Sequence, residues 1–148
     1  MHAQAVEKRG AAWRKTRGGP QAAIVRAGGV VTTVGMSSDS AADLRRAFSA
    51  PGAADLIITT GGVSVGDFDT VKQVLAADGE VEFWKVQMRP GHHIAFGLLD
   101  GTPILGLPGN PIAAWIAFLQ FGVPALHALR GLQRRGLPQV AARITTAV

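Results

Sequence analysis

A stretch near the middle of the chain joins a short apolar run, a glycine-rich loop and a segment with helical character. The run is Asp55-Leu56-Ile57-Ile58, the loop is Thr59-Thr60-Gly61-Gly62-Val63-Ser64-Val65-Gly66-Asp67-Phe68-Asp69, and the helical segment covers 70–77. α/β proteins bind phosphate groups with this layout, because backbone N–H groups line the turn and the helix dipole favours anions. The stretch therefore favours an α/β fold with a ligand at the loop.

Two interpretations of this loop are open. Its glycines allow close approach of a ligand to the backbone, its hydroxyl groups can donate hydrogen bonds, and Asp67 and Asp69 can hold a cation. Alternatively, the loop is a tight connection in which Asp69 only caps the next helix. Because the carboxylates follow the glycines directly, we favour a ligand-binding loop.

A second loop of the same kind follows the apolar run at 103–107. In Pro108-Gly109-Asn110-Pro111, Asn110 suits an N-cap and Pro111 suits the first helical turn, where its missing N–H costs nothing. Local chemistry alone does not separate a ligand site from a well-capped connection. Both loops, however, follow strands and open helices, so in a parallel sheet they lie at the same carboxyl edge, where such proteins bind ligands. This shared placement predicts one site.

The remaining patterns alternate between helix and strand. Residues 1–20 carry isolated apolar side chains among basic ones, and we expect a flexible basic arm there. A helix is predicted to end at Gly28-Gly29, and Asp100-Gly101 is a hairpin signal. We predict strands at 30–34, 56–59, 81–86, 92–97 and 103–107, and helices at 40–48, 70–77 and 112–121.

Composition narrows the class of protein. The 148 residues are 47% hydrophobic and 17% charged, which is typical of a globular chain and excludes an intrinsically disordered one. There is no cysteine, so disulfides and thiolate metal sites are excluded. The N-terminus lacks the apolar stretch of a signal peptide, and we expect a cytoplasmic protein.

Charge and hydropathy exclude two kinds of partner. The net charge is +5, but the basic residues crowd at the two ends, and no basic stripe interleaved with aromatic residues lies between them, so we expect no nucleic-acid partner. Basic charge near a pocket for an acidic small molecule explains the net charge equally well. The longest apolar stretch, 112–129, approaches the length of a membrane span. Pro124 is expected to break it into a buried helix and a shorter one, and we expect no membrane partner.

The turn between the two predicted strands at 81–86 and 92–97 holds the remaining candidates. His92 and His93 suggest a metal site, but neighbouring residues of a strand point to opposite faces, which argues against two ligands to one ion. Arg89, before Pro90-Gly91, is either a fixed cation for a phosphate or oxyanion, or a solvated strand end. The local pattern does not decide between these two roles.

Three ordered motifs resemble one known family. They are residues 55–69, Phe83-Trp84-Lys85-Val86-Gln87-Met88-Arg89-Pro90-Gly91, and Gly106-Leu107-Pro108-Gly109-Asn110-Pro111. Together they resemble the cofactor-binding domain of MoeA-type molybdopterin molybdenumtransferases, the family of the gephyrin E domain. The resemblance covers about 21–132, and it implies a three-layer α/β/α fold around a mostly parallel sheet.

The resemblance also implies an activity: insertion of molybdate into adenylylated molybdopterin with Mg²⁺ and release of AMP. The implied catalytic residues are Asp69, Asp67 and Arg89, with Mg²⁺ on Asp69 and Asp67. Arg89 would neutralise the oxyanion. The implied substrate-binding residues are Thr60, Gly61, Gly62, Ser64, Gly66, Pro90, Gly91, Pro108, Gly109, Asn110 and Pro111. The family further implies a homodimer and a MogA-type adenylyltransferase as a partner.

This chain departs from the family pattern in several places, one of which is Ala113, where a serine is common after the Asn-Pro. The family usually has a Lys-Pro-Gly-Lys-Pro turn, whereas residues 89–93 read Arg-Pro-Gly-His-His. Nothing in 1–20 matches the family's first strand, so we expect that strand to be missing. We also expect 133–148 to be the start of a truncated C-terminal domain. The alternative function is a non-catalytic molybdopterin- or nucleotide-binding or assembly module left by truncation.

Overall fold

The computed structural model describes residues 2–8, 20–37, 40–48, 54–61, 63, 70–133, 136–138, 140, 141, 143 and 145. Six strands and five α-helices occur in these segments, and they alternate as far as the fourth strand. The strands are β1 (His2–Lys8), β2 (Val30–Ser37), β3 (Leu56–Thr60), β4 (Gly79–Lys85), β5 (His93–Leu99) and β6 (Thr102–Leu107). The helices are α1 (Pro20–Arg26), α2 (Ala41–Phe48), α3 (Thr70–Asp78), α4 (Pro111–Ala117) and α5 (Val123–Leu129), with a π-helical segment, Phe118–Gly122, between the last two.

The strands form one sheet in the order β2-β1-β3-β6-β5-β4. The pairs β2–β1, β1–β3 and β3–β6 are parallel, and β6–β5 and β5–β4 are antiparallel. β3 and β6 lie side by side in the middle, so the loops that leave their carboxyl ends emerge as neighbours. The predicted α/β fold with a mostly parallel sheet is confirmed.

Alternating residues of the central strands supply two separate cores. Because successive strand residues point to opposite faces, Leu56 and Ile58 of β3 face one way and Ile57 faces the other. The first face packs against α1, α4 and α5, where Phe118 is fully buried. The second face packs against α2 and α3, where Leu75 is fully buried. Helices on both faces give the three layers.

The N-terminal strand corrects the predicted arm. The sequence predicts a flexible arm at 1–20 and a sheet without its first strand, whereas β1 lies between β2 and β3 and pairs with both. Its composition is alanine and polar residues around one valine, which is weak strand propensity. Two flanking strands complete its backbone hydrogen bonds, and a local pattern carries no sign of that.

The long C-terminal helix also differs from the prediction. Pro124 is predicted to break it, but the helical run continues from Pro111 to Leu129 because a π-turn precedes the proline, with the Val123 N–H donating to the Phe118 carbonyl. Gly122 makes room for this turn, since a Cβ there would lie 2.4 Å from the Phe118 ring. The run is long and apolar enough to cross a membrane, but its buried residues pack on the sheet as part of the core.

Candidate functional site

The two glycine-bearing loops touch where β3 and β6 end. The Gly61 N–H donates to the Leu107 carbonyl at 2.9 Å, one step beyond the last strand pairing, Thr60 with Leu107. A Cβ on Gly109 would lie 3.4 Å from the Gly61 Cα. Gly61 has a φ of +84°, a conformation that L side chains rarely adopt. The predicted shared edge is therefore present, with the two backbones in contact.

A cavity of about 460 Å³ opens beside this contact. It is lined by the turn at 89–93, by the loop at 108–110, by Val63 above the end of β3 and by Ala113 of α4. A second, more polar hollow of about 650 Å³ adjoins it, lined by 85–89 and His92. Both volumes are in the range of small-ligand sites.

The side of the cavity opposite the glycine loops is a well-defined turn. The Arg89–Pro90 peptide bond is cis, and Gly91 has a φ of +102°. A Cβ on Gly91 would lie 3.0 Å from the Ala113 carbonyl oxygen, so glycine lets the turn approach α4. The Val86 N–H donates to the His92 carbonyl at 2.7 Å and closes the turn. Arg89 is exposed at the rim of both hollows.

The paired histidines differ from the prediction that they point to opposite faces. Their ring centroids lie 4.1 Å apart, and both rings line the cavity. Strand alternation does not apply, because only His93 belongs to β5 while His92 lies in the turn. Burial lowers the pKa of His93 below its ordinary 6.5, and the nearby charges of His92, Lys85 and Lys72 lower this pKa further.

Two threonines end β3 at the base of the glycine-rich loop. Thr59 and Thr60 are 2% and 5% exposed, and within the described residues neither hydroxyl has a hydrogen-bond partner. A buried hydroxyl without a partner destabilises a fold by about 1–3 kcal/mol. Unpartnered hydroxyls at the end of β3 indicate hydrogen-bonding capacity that a ligand or the loop after β3 can use.

The structure brings together part of the predicted set. Arg89, Pro90, Gly91, Pro108, Gly109 and Asn110 line one cavity. Gly61 contacts Gly109 beside this cavity, and Thr60 precedes Gly61 at the end of β3. Pro111 opens α4, and the Asn110 side chain caps that helix by accepting from the N–H groups of Ile112 and Ala113. The roles of these residues in binding stay predictions. Gly62, Ser64, Gly66, Asp67 and Asp69 lie outside the described residues.

Sequence reasoning missed several residues of the site. Val63 and Ala113 are apolar, and only packing reveals that they line the cavity. Lys72 reaches the neighbourhood of His93 from α3, and Lys85 lies opposite His93 in the β4–β5 pairing. Over the described ranges, no cluster of three or more metal-ligating side chains occurs. The described side chains here are cationic or neutral, which suits an anion.

Comparison with known sequences gives a consistent family. Residues 21–128 match the family described as a probable molybdopterin binding domain. The chain is 41% identical over 117 residues to a molybdopterin molybdenumtransferase of Haemophilus influenzae, covering 78% of this chain and 29% of that protein. It is 42% identical over 101 residues to molybdopterin molybdenumtransferase 2 of Mycobacterium tuberculosis, covering 64% of this chain and 25% of that protein. The chain thus spans less than a third of the length of these relatives.

Solved structures show the same fold. The molybdopterin biosynthesis MoeA protein of Pyrococcus horikosii superposes with a TM-score of 0.64 at 24% identity, over 91% of this chain and 36% of that one. A molybdopterin biosynthesis protein of Mycobacterium abscessus superposes with a TM-score of 0.67 at 14% identity, over 88% and 94%. The resemblance to the MoeA type is confirmed, and the chain belongs to the family of probable molybdopterin-binding domains.

Proposed function

We propose that this chain carries the substrate site of a molybdopterin molybdenumtransferase, which inserts molybdate into adenylylated molybdopterin and releases AMP. The observation that carries the proposal is the contact of the two glycine-bearing loops beside one cavity, with Gly61 against Gly109. Identity of 41% to a named molybdenumtransferase supports the reaction class. The proposed setting is cytoplasmic, with a homodimer and a MogA-type adenylyltransferase as partners.

Each wall of the cavity has a role in this proposal. The backbone of 60–64 and the Thr60 hydroxyl hold the pterin phosphate or nucleotide, because N–H groups and hydroxyls donate to phosphate oxygens. The loop at 108–111, which touches Gly61 through Gly109, completes this side of the cavity. Arg89 neutralises charge that develops on oxyanions, which is a large part of what a protein contributes to phosphoryl chemistry. Asp69 and Asp67 would hold Mg²⁺, which would supply further charge neutralisation at the phosphoanhydride.

Calorimetry with AMP or molybdopterin-AMP, with and without Mg²⁺, tests this proposal. We expect binding that strengthens with Mg²⁺ and weakens about tenfold or more in Asp69→Asn, since one carboxylate ligand to the cation is lost. Asp100→Asn, in the β5–β6 turn, is the matched control and should bind as the parent chain does. Absence of binding at millimolar nucleotide would contradict the proposal.

A non-catalytic binding or assembly module is the second candidate. One observation favours it: Arg89, His92 and His93 stand in the turn where the family usually has Lys-Pro-Gly-Lys-Pro. An imidazole and a planar guanidinium do not replace two ammonium groups. Expression in a strain lacking molybdenumtransferase separates the candidates. Rescue of that strain requires turnover, and binding alone does not rescue it.

A further inference from the structure

We infer that the cavity takes up its oxyanion together with a proton, which the His92–His93 pair accepts. The inference rests on the proposed function, because it assigns the oxyanion of that reaction to this cavity. It adds a property that fixed lysine charges would not give: the affinity for a tetrahedral dianion depends on pH in the physiological range.

The geometry places the two imidazoles where an anion would meet both. Their ring centroids are 4.1 Å apart with the ring planes tilted by 51°, and both rings line the cavity beside Arg89. The His92 carbonyl is held by the Val86 N–H, and His93 begins β5, so the main chain of both is fixed by the sheet. The pair is therefore a built part of the cavity wall.

The charged side chains that face this pair from the described elements are all positive. Lys85 lies opposite His93 on β4, Lys72 approaches from α3, and Arg89 lies in the same turn. α4 contributes Ala113 and the capping residue Asn110, neither of which titrates. No carboxylate occurs among the described residues that line the cavity, while Asp67 and Asp69 lie outside the described part.

These surroundings disfavour a charged imidazole until an anion arrives. Burial and the neighbouring cations lower the pKa of His93, so near pH 7 its ring is neutral in the empty cavity. A dianion placed against the pair reverses the sign of the nearest charge, which favours the imidazolium and raises its pKa. Binding then draws a proton from solution, and affinity rises as pH falls through the interval between the empty and occupied pKa values.

Calorimetry with sulfate tests the inference, because sulfate keeps its charge throughout the range from about pH 5.5 to about pH 8.5 and histidine titrates within it. Molybdate at neutral and alkaline pH is the second probe. We expect affinity to fall with rising pH by up to about tenfold per unit, the slope for one linked proton. Repeating the titration in buffers of different ionisation enthalpy counts the protons taken up.

Variants locate the proton. His93→Gln and His92→Gln stay neutral at every pH, so each should reduce proton uptake and flatten the pH dependence. His127→Gln changes a histidine of α5 that does not line the cavity, and it should keep the parent behaviour. Proton NMR of the parent chain gives a readout that needs no variant. The ring signals of the His92–His93 pair should titrate at higher pH when sulfate is added.

The outcomes separate this inference from the proposed function. Oxyanion affinity that is independent of pH, without proton uptake, overturns the inference and leaves the proposed function standing. AMP binding without any sulfate or molybdate binding overturns the inference and leaves only the nucleotide-binding part of the proposed function standing. Loss of both nucleotide and oxyanion binding overturns both.

Discussion

The Cα of Gly61 lies 3.4 Å from the position that a Cβ on Gly109 would occupy, so the two loops that end β3 and β6 meet backbone to backbone. A methyl group fits this spacing in ordinary van der Waals contact, whereas a β-branched side chain adds two further carbon atoms beside that contact. The close approach forms one wall of the cavity of about 460 Å³. Substitutions at Gly109 therefore test the site directly.

We predict that Gly109→Ala binds AMP nearly as well as the parent chain and that Gly109→Val does not. The branched side chain would push the loops apart, an overpacking that typically costs about 1–3 kcal/mol, and the displaced backbone would weaken binding about tenfold or more. Calorimetry and thermal unfolding measure the two effects. Gly136→Val is the control, because a Cβ there meets nothing within 4 Å. Equal binding by both Gly109 variants would contradict the role of the contact.

The unpartnered hydroxyls of β3 lead to a second prediction. Thr60→Val replaces a buried hydroxyl by a methyl group of similar shape, so the variant should be as stable as the parent or more stable by about 1 kcal/mol. If the hydroxyl serves a phosphate, affinity for AMP should fall about tenfold, the worth of about one hydrogen bond. Urea unfolding and calorimetry give the two numbers.

Thr59→Val is the matched control for this substitution. Thr59 has the same burial and the same lack of a partner, but it points to the opposite face of the sheet, towards Gly106. It should gain stability to a similar extent and keep its affinity for AMP. Marked destabilisation of both variants would mean that the hydroxyls have a structural partner.

The N-cap of α4 gives a third prediction. The Asn110 side-chain oxygen accepts from the N–H groups of Ile112 and Ala113, at 3.0 and 3.1 Å. Asn110→Ala should lower the free energy of unfolding by about 1 kcal/mol, whereas Asn110→Ser should retain most of it, because serine also caps helices. Urea denaturation measures both. An alanine variant as stable as the parent would show that the cap contributes little.

Local chemistry was enough to predict the elements with strong turn or cap signals. Asp100-Gly101 forms the predicted hairpin, with φ of 49° and 76°, and Gly28 ends α1 with a φ of 81°. The Gly28 N–H donates to the Val25 carbonyl, and the Gly29 N–H to the Ile24 carbonyl, which is the helix ending that the glycine pair predicts. Such motifs are stabilised by their own few residues.

Features that depend on distant partners were not predictable in the same way. β1 has little strand propensity and is a strand because β2 and β3 flank it. The helix continues through Pro124 because Gly122 and Phe118 form a π-turn before it. In the site, the loops at 60–61 and 108–110 were predicted from motif and sheet edge, whereas the contact of His92 with His93 arises from a turn whose shape no local pattern specifies.

The lowered pKa of His93 gives a last prediction, on stability and pH. Burial and the charges of His92, Lys85 and Lys72 hold the pKa in the folded state below the ordinary 6.5, so the unfolded chain binds a proton more readily than the folded one. The contribution of the neutral His93 ring to the free energy of unfolding is fully present above pH 6.5. It is lost as the pH falls through the pKa of His93 in the folded state. At pH values below about 6.5, the melting temperature of the chain without ligand should decrease as the pH is lowered. The His93→Gln variant should show a smaller decrease. A variant that keeps the full pH dependence would assign the effect to another group.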